Sequence, residues 1–256
     1  MESFVGKTLR DSYVLQELLG EGNFGAVFKG LQIFLGAPVR TVAVKLSKQT
    51  DLDIITARNI LADVFLLAQA LQEMADPVAR QHLIHIYDIG MLPEEEQRGF
   101  IVMEYVPGAT LAEQFASFRR VPATLLVGWI LQICRALRGL HELIPPILHR
   151  DLKPDNVLMG PDNLLRVVDF GLAARLMDCG YASGVAGAVM YMAPETMMSE
   201  SIPASDVFSI GIMLYEGLTG QHPFAHLSAS SDTLNELSRE WFYKRIYAYH
   251  PPHHRN

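Results

Sequence analysis

Hydrophobic and polar positions divide this chain into two textures. From residue 13 to about residue 105, short runs rich in Val, Ile, Phe and Tyr alternate with Gly and Pro turns: "YVLQELLG", "AVFKGLQIFL", "TVAVKL", "LIHIYDIGML" and "GFIVMEYV". Such runs predict strands. Between them, apolar residues recur at helical spacing from Asp53 to about Ala75, with Ile60, Val64, Leu67 and Leu71 on one stripe. That helix must stop before Pro77. From Leu111 onward the spacing is mostly helical, over 111–118, 123–143, about 205–218 and 232–247. The pattern predicts an α+β chain: a small sheet lobe with one long helix, joined near Pro107-Gly108 to a mainly helical large lobe. We divide it into a lead-in (1–12), a small lobe (13–106) and a large lobe (107–256). A cleft between two lobes is where a small ligand binds.

Composition narrows the classes. With 256 residues, 50% hydrophobic and 19% charged, the chain is long enough for a sizeable core and is not of disordered composition. Its net charge of −7 argues against a dedicated nucleic-acid binder. The two cysteines, Cys134 and Cys179, lack metal-ligand spacing and suit a reducing cytoplasm; Cys134 falls in an apolar helical pattern and is expected in the core. The start carries no signal-like apolar segment, and no apolar run reaches the length of a membrane span.

Four polar stretches stand out against this apolar background. "LGEGNFGAVF" places Gly20, Gly22 and Gly25 in a turn between two strands, where backbone N–H groups could approach a phosphate. An ordinary glycine-rich hairpin explains the same residues. "VAVK" alternates Val42 and Val44 on one face with Ala43 and Lys45 on the other. Lys45 could reach a phosphate as a point charge, or simply reach solvent at the strand end. "LHRDLKPDN" supplies Asp151 as a proton acceptor, Lys153 as a neutralising cation and Asn156 as a neutral metal ligand from one tight loop. "VVDFGLA" ends an apolar strand on Asp169, a hard oxygen ligand suited to Mg²⁺ or a cap for the next turn.

Taken in order, Leu19–Val27, Val42–Lys45, His149–Asn156, Asp169–Gly171 and Ala193–Glu195 resemble the signature set of the eukaryotic-like (Hanks-type) serine/threonine protein kinases. The resemblance implies a two-lobed fold and ATP- and Mg²⁺-dependent phosphoryl transfer to Ser/Thr hydroxyls of protein substrates. It implies that Asp151 orients the attacking hydroxyl, that Asn156 and Asp169 ligate Mg²⁺, and that Lys45 contacts the α- and β-phosphates. The segment Leu19, Gly20, Glu21, Gly22, Asn23, Phe24, Gly25, Ala26 and Val27 would cover the nucleotide. Leu19, Val27, Ala43 and Leu158 would wall the base. Met103 takes the gatekeeper position, and Glu104 to Val106 would offer hinge backbone groups to adenine. Asp206 would brace the catalytic loop, and Lys153 favours Ser/Thr over Tyr as acceptor.

The sequence departs from that pattern in three places. Ala188 stands where the family usually has Thr. Between Leu172 and Met192, Tyr181 and Ser183 are taken as the phosphorylation candidates, with Ser183 the expected acceptor opposite Arg150. Only 32 residues follow Phe224, so the C-terminal helices and the usual Arg partner of Glu195 are expected to be missing: the chain is either a fragment with room for further domains beyond Asn256, the favoured reading, or a shortened domain with weaker large-lobe support. The acid that pairs with Lys45 is expected to be Asp63, on the buried stripe, with Glu73 as the alternative. Two rival functions remain at this stage: a kinase-like scaffold without catalysis, and a small-molecule kinase, against which "MYMAPE" speaks.

Overall fold

A computed structural model of the chain describes residues 1–22, 25–52, 64–65, 67–93, 95–169, 190–193, 195–196 and 201–224. The alternating runs form one six-stranded sheet of β1 (Thr8–Leu9), β2 (Tyr13–Glu21), β3 (Gly25–Phe34), β4 (Ala37–Ser47), β5 (Ile86–Leu92) and β6 (Arg98–Glu104). Its order is β1-β2-β3-β4-β6-β5, and every neighbouring pair is antiparallel. Leu35 and Gly36, both left-handed, turn β3 into β4, the backbone that matches a hairpin's twist.

The period of two along β4 sorts the small lobe into two faces. Val42, Val44 and Leu46 are fully buried on the outer face against Phe28, Phe100 and Val102. Phe4 and Leu9 belong to that cluster, so the segment before β2 packs part of its length onto the sheet. Ala43 faces the other way, into a cluster that runs on into the large lobe. Residues 64, 65 and 67–73 are helical (α1). Val64, Leu67 and Leu71 are buried on this stripe, as the spacing predicts. The helix ends at residue 73. Asp76 then caps α2 (Pro77–Gln81), accepting from the N–H groups of Val78 and Ala79.

The large lobe begins with β7 (Ala109–Thr110) and α3 (Leu111–Ser117). Thr110 and Glu113 close a reciprocal capping box at the start of α3, an arrangement worth about 1 kcal/mol. Next come α4 (Ala123–His141), β8 (Val157–Met159), β9 (Leu165–Val167) and α5 (Pro203–Thr219), which left-handed Gly220 terminates. β7, β8 and β9 form a small antiparallel sheet. Among the described residues α4 is the helix long and apolar enough to cross a membrane. Here it buries Leu126, Trp129, Ile130, Ile133, Ala136, Leu137 and Leu140 in the core. Cys134 is exposed, contrary to expectation. Its position falls about 100° round the helix from the centre of that stripe. The helix expected over 232–247 lies outside the described residues.

Candidate active site

The loop after α4 is built around one buried carboxylate. Asp206, on α5 and 1% exposed, accepts from the backbone N–H groups of His149 and Arg150, both at 2.9 Å. His141 Nε2 meets the same carboxylate at 2.8 Å. Burial pushes this carboxyl towards neutrality, but the His141 hydrogen bond and the two backbone donors hold it below the usual aspartate range. His149 is fully buried: its Nδ1 accepts from the Asp151 N–H, and Nε2 therefore donates to the Val168 carbonyl at 2.9 Å. Arg150 is held left-handed, with φ 66°, an uncommon conformation that fixed partners must maintain. Asp206 supplies them.

The polar side chains converge where that loop meets the end of β9. Lys153 Nζ lies 3.2 Å from Asp151 Oδ2. Asn156 Nδ2 donates to the same oxygen at 2.9 Å and to the Asp151 carbonyl at 2.7 Å. The Val168 N–H donates to the Asn156 carbonyl at 2.9 Å, which sets Asp169 beside the loop. Asp169 is left-handed, φ 60°, and its Oδ1 takes Lys45 Nζ at 2.6 Å. Burial raises the Asp169 carboxyl, yet the charge and hydrogen bond of Lys45 outweigh it and hold it below the ordinary value. Its side chain keeps 38% of its surface exposed, so a ligand can still approach.

This donor set fits a magnesium ion. Asn156 spends its NH₂ on Asp151, which leaves its amide oxygen without a described protein partner. A carboxylate and an amide oxygen, with phosphate and water completing the shell, is the way Mg²⁺ is usually held. Among the described residues no cluster of three His, Cys, Asp or Glu side chains could cage a metal alone.

The residues expected to face a nucleotide are placed unevenly. In the β2–β3 turn the Gly22 N–H donates to the Gly25 carbonyl at 2.9 Å. A Cβ at Gly25 would lie 2.5 Å from the Leu46 carbonyl, so packing alone demands that glycine. Nothing crowds a Cβ at Gly20 or Gly22, where the space lies open to a ligand. Glu21 is tied to Lys48 at 2.7 Å. Ala26 turns its side chain into the outer cluster, so only its backbone can face a nucleotide. Val27, Ala43, Met103, Val106 and Leu158 belong to the inner cluster, while Leu19 is 44% exposed. The Glu104 N–H is already used, donating to the His85 carbonyl at 2.8 Å. Adenine would therefore meet the Glu104 carbonyl and the backbone of Tyr105 and Val106. Asn23 and Phe24 lie outside the described residues.

The regulatory candidates divide similarly. Asp63, Tyr181, Ser183 and Ala188 lie outside the described residues. Glu73 is exposed and accepts from Gln69 Nε2 at 2.8 Å. Glu195, expected without a partner, accepts from Ser205 Oγ at 2.7 Å. That hydroxyl lies in the first turn of α5. Sequence reasoning also passed over Tyr191, whose hydroxyl donates to Glu216 Oε2 at 2.6 Å. Burial pushes both of those groups up. The pair spans the start of α5's last turn and a segment 25 residues away, and no local pattern marks it.

The fold and this arrangement define a two-lobed kinase-type domain. A family profile described as "Protein kinase domain" matches residues 13–255. The chain belongs to the protein kinase domain family, of the Hanks type. Mitogen-activated protein kinase kinase kinase 11 of Rattus norvegicus is 36% identical over 222 residues, covering 82% of this chain and 24% of that protein. Serine/threonine-protein kinase PknB of Mycolicibacterium smegmatis is 33% identical over 226 residues, covering 84% of this chain and 34% of its own length. Probable serine/threonine-protein kinase PknB of Lactococcus lactis is 33% identical over 237 residues, with 91% and 35% covered. The chain thus spans about a quarter to a third of these relatives.

Proposed function

We propose that this chain transfers the γ-phosphate of ATP, with Mg²⁺, to Ser/Thr hydroxyls of protein substrates. The observation that carries the reading is the convergence of Lys45, Asp151, Lys153, Asn156 and Asp169 from β4, the catalytic loop and the end of β9. Asp151 takes the hydroxyl proton as the oxygen bonds to the γ-phosphorus and the bond to the β–γ bridging oxygen breaks. Lys153, already beside Asp151, neutralises charge on the transferring group. Lys45 would hold the α- and β-phosphates, and Asn156 and Asp169 would hold the ion. Bound Mg²⁺ screens the phosphate charge and orients the phosphates. Ser183 opposite Arg150 is the proposed activating site, and Asp63 the proposed acid that pairs with Lys45. We place the activity in the cytoplasm, where ATP, Mg²⁺ and reduced thiols coincide. Incubation with labelled ATP, Mg²⁺ and a generic basic protein should yield phosphoserine or phosphothreonine. Nucleotide binding without phosphoprotein would favour a scaffold instead.

A further inference from the structure

Behind the hinge lies a second polar cluster that the transfer chemistry does not use. Glu104 closes β6, next to the gatekeeper Met103, and its Oε1 takes Arg166 Nε at 2.8 Å. Arg166 sits on β9, three residues before Asp169. Its two Nη atoms grip Asp162, at 3.0 and 2.8 Å. His85 Nδ1 stands 3.3 Å from the other Glu104 oxygen. The Arg166 and Glu104 side chains are only 15% and 21% exposed. Backbone bonds run alongside: Glu104 N–H to the His85 carbonyl at 2.8 Å, and Ile84 N–H to the Val167 carbonyl at 3.1 Å.

The geometry decides what such a cluster can do. A guanidinium is a planar, rigid fork, so Asp162 fixes its plane and leaves Nε aimed at one place. Glu104 belongs to the hinge end of the small-lobe sheet, and Arg166 to the large lobe. Rocking of one lobe against the other must change the distance between them. A screened surface pair would resist this little; a mostly buried pair, with every charge partnered, resists it more. Both ends of a bound nucleotide depend on the same link. The hinge backbone starts at Glu104, and β9 delivers Asp169 to the phosphates.

We propose that Arg166 is a positioning residue whose salt bridge to Glu104 fixes the hinge against the strand that carries Asp169. It thereby sets the separation between the adenine and phosphate ends of the nucleotide site. The inference rests on the kinase reading above. The charges agree with it: burial raises the Glu104 carboxyl, but His85 and Arg166 together hold it below its usual range. Because preorganisation is made before chemistry, its loss falls on nucleotide binding and not on the transfer step.

The test uses the full chain and measures Kd for Mg·ATP by titration beside KM and kcat. Arg166→Met should raise Kd and KM about tenfold, the scale of one charge-assisted hydrogen bond, with kcat changed less than about twofold. Arg166→Lys, which keeps the charge but not the fork, should recover part of the loss. Glu104→Gln combined with Arg166→Met should bind no more weakly than Arg166→Met alone, because the two act as one link. Should Arg166→Met not fold, Glu104→Gln, nearly isosteric, carries the comparison with a several-fold rise in Kd. An unchanged Kd in Arg166→Met and Glu104→Gln, additive losses in the double variant, or a loss confined to kcat would overturn the proposal. A wild type that binds nucleotide while its variants are unaltered overturns this link alone. A wild type that binds none overturns the kinase reading with it.

Discussion

Two polar clusters among the described residues have similar make-up and opposite origin. Asp151, Lys153 and Asn156 come from six consecutive residues, and their hydrogen bonds run mostly to one another. Glu104, His85 and the Asp162–Arg166 pair come from three separate segments that only the finished fold brings together. The first is a chemical unit, pinned from outside by Asp206. The second is a mechanical link whose members have no shared motif. The difference teaches that chemistry here is written locally, while the placement of that chemistry is written in long-range contacts.

Breaking the external pin should have the largest effect. Asp206→Ala leaves the buried N–H of His149, the N–H of Arg150 and His141 Nε2 without their acceptor. At about 1–3 kcal/mol for each buried unsatisfied donor, a loss of at least about 3 kcal/mol is expected in denaturant unfolding. The same carboxylate predicts an acid limb. Its folded pKa is depressed, so its stabilisation is present above the unfolded aspartate value and disappears as pH falls through the folded one. Asp206→Asn should flatten that limb. A variant with an unchanged acid limb would show that the carboxylate is not ionised in the fold.

Asp169→Ala comes next, because it acts within the chemical unit. It removes the partner of Lys45 and one proposed Mg²⁺ ligand, and should weaken Mg²⁺-dependent nucleotide binding about tenfold or more. Binding with the same Mg²⁺ dependence as wild type would reduce Asp169 to a turn residue. The smallest effect is expected at α1. Glu73→Gln touches an exposed side chain whose described partner is Gln69, so stability should move by no more than about 0.5 kcal/mol and transfer hardly at all. Asp63→Asn should impair transfer much more; the reverse order in a kinetic comparison would make Glu73 the partner of Lys45.

How much could be read beforehand follows the same division. The period of two in "TVAVKL" placed Val42 and Val44 on one face and Ala43 on the other, as the two clusters have them, because a strand cannot do otherwise once one face is buried. The stripe of Val64, Leu67 and Leu71 was legible for the equivalent reason in a helix. The catalytic loop was legible because its residues are contiguous. Cys134 was misread because a generally apolar helix hides where its stripe ends. Ala26 was assigned to the nucleotide although its place in the β3 alternation turns it outward. Glu195 looked unpaired because only an arginine was sought, whereas a serine hydroxyl satisfies one oxygen. The Glu104–Arg166 link spans 62 positions, and nothing in either neighbourhood announces it.

The central claim is that Asp151 takes the proton in a phosphoryl transfer for which the surrounding residues are already arranged. The direct measurement is the rate of Ser/Thr phosphorylation by Asp151→Asn, beside its Kd for Mg·ATP. Turnover should fall by about 10²-fold or more, the scale of general-base catalysis, while Kd stays close to that of wild type. Equal turnover in Asp151→Asn and wild type would contradict the account.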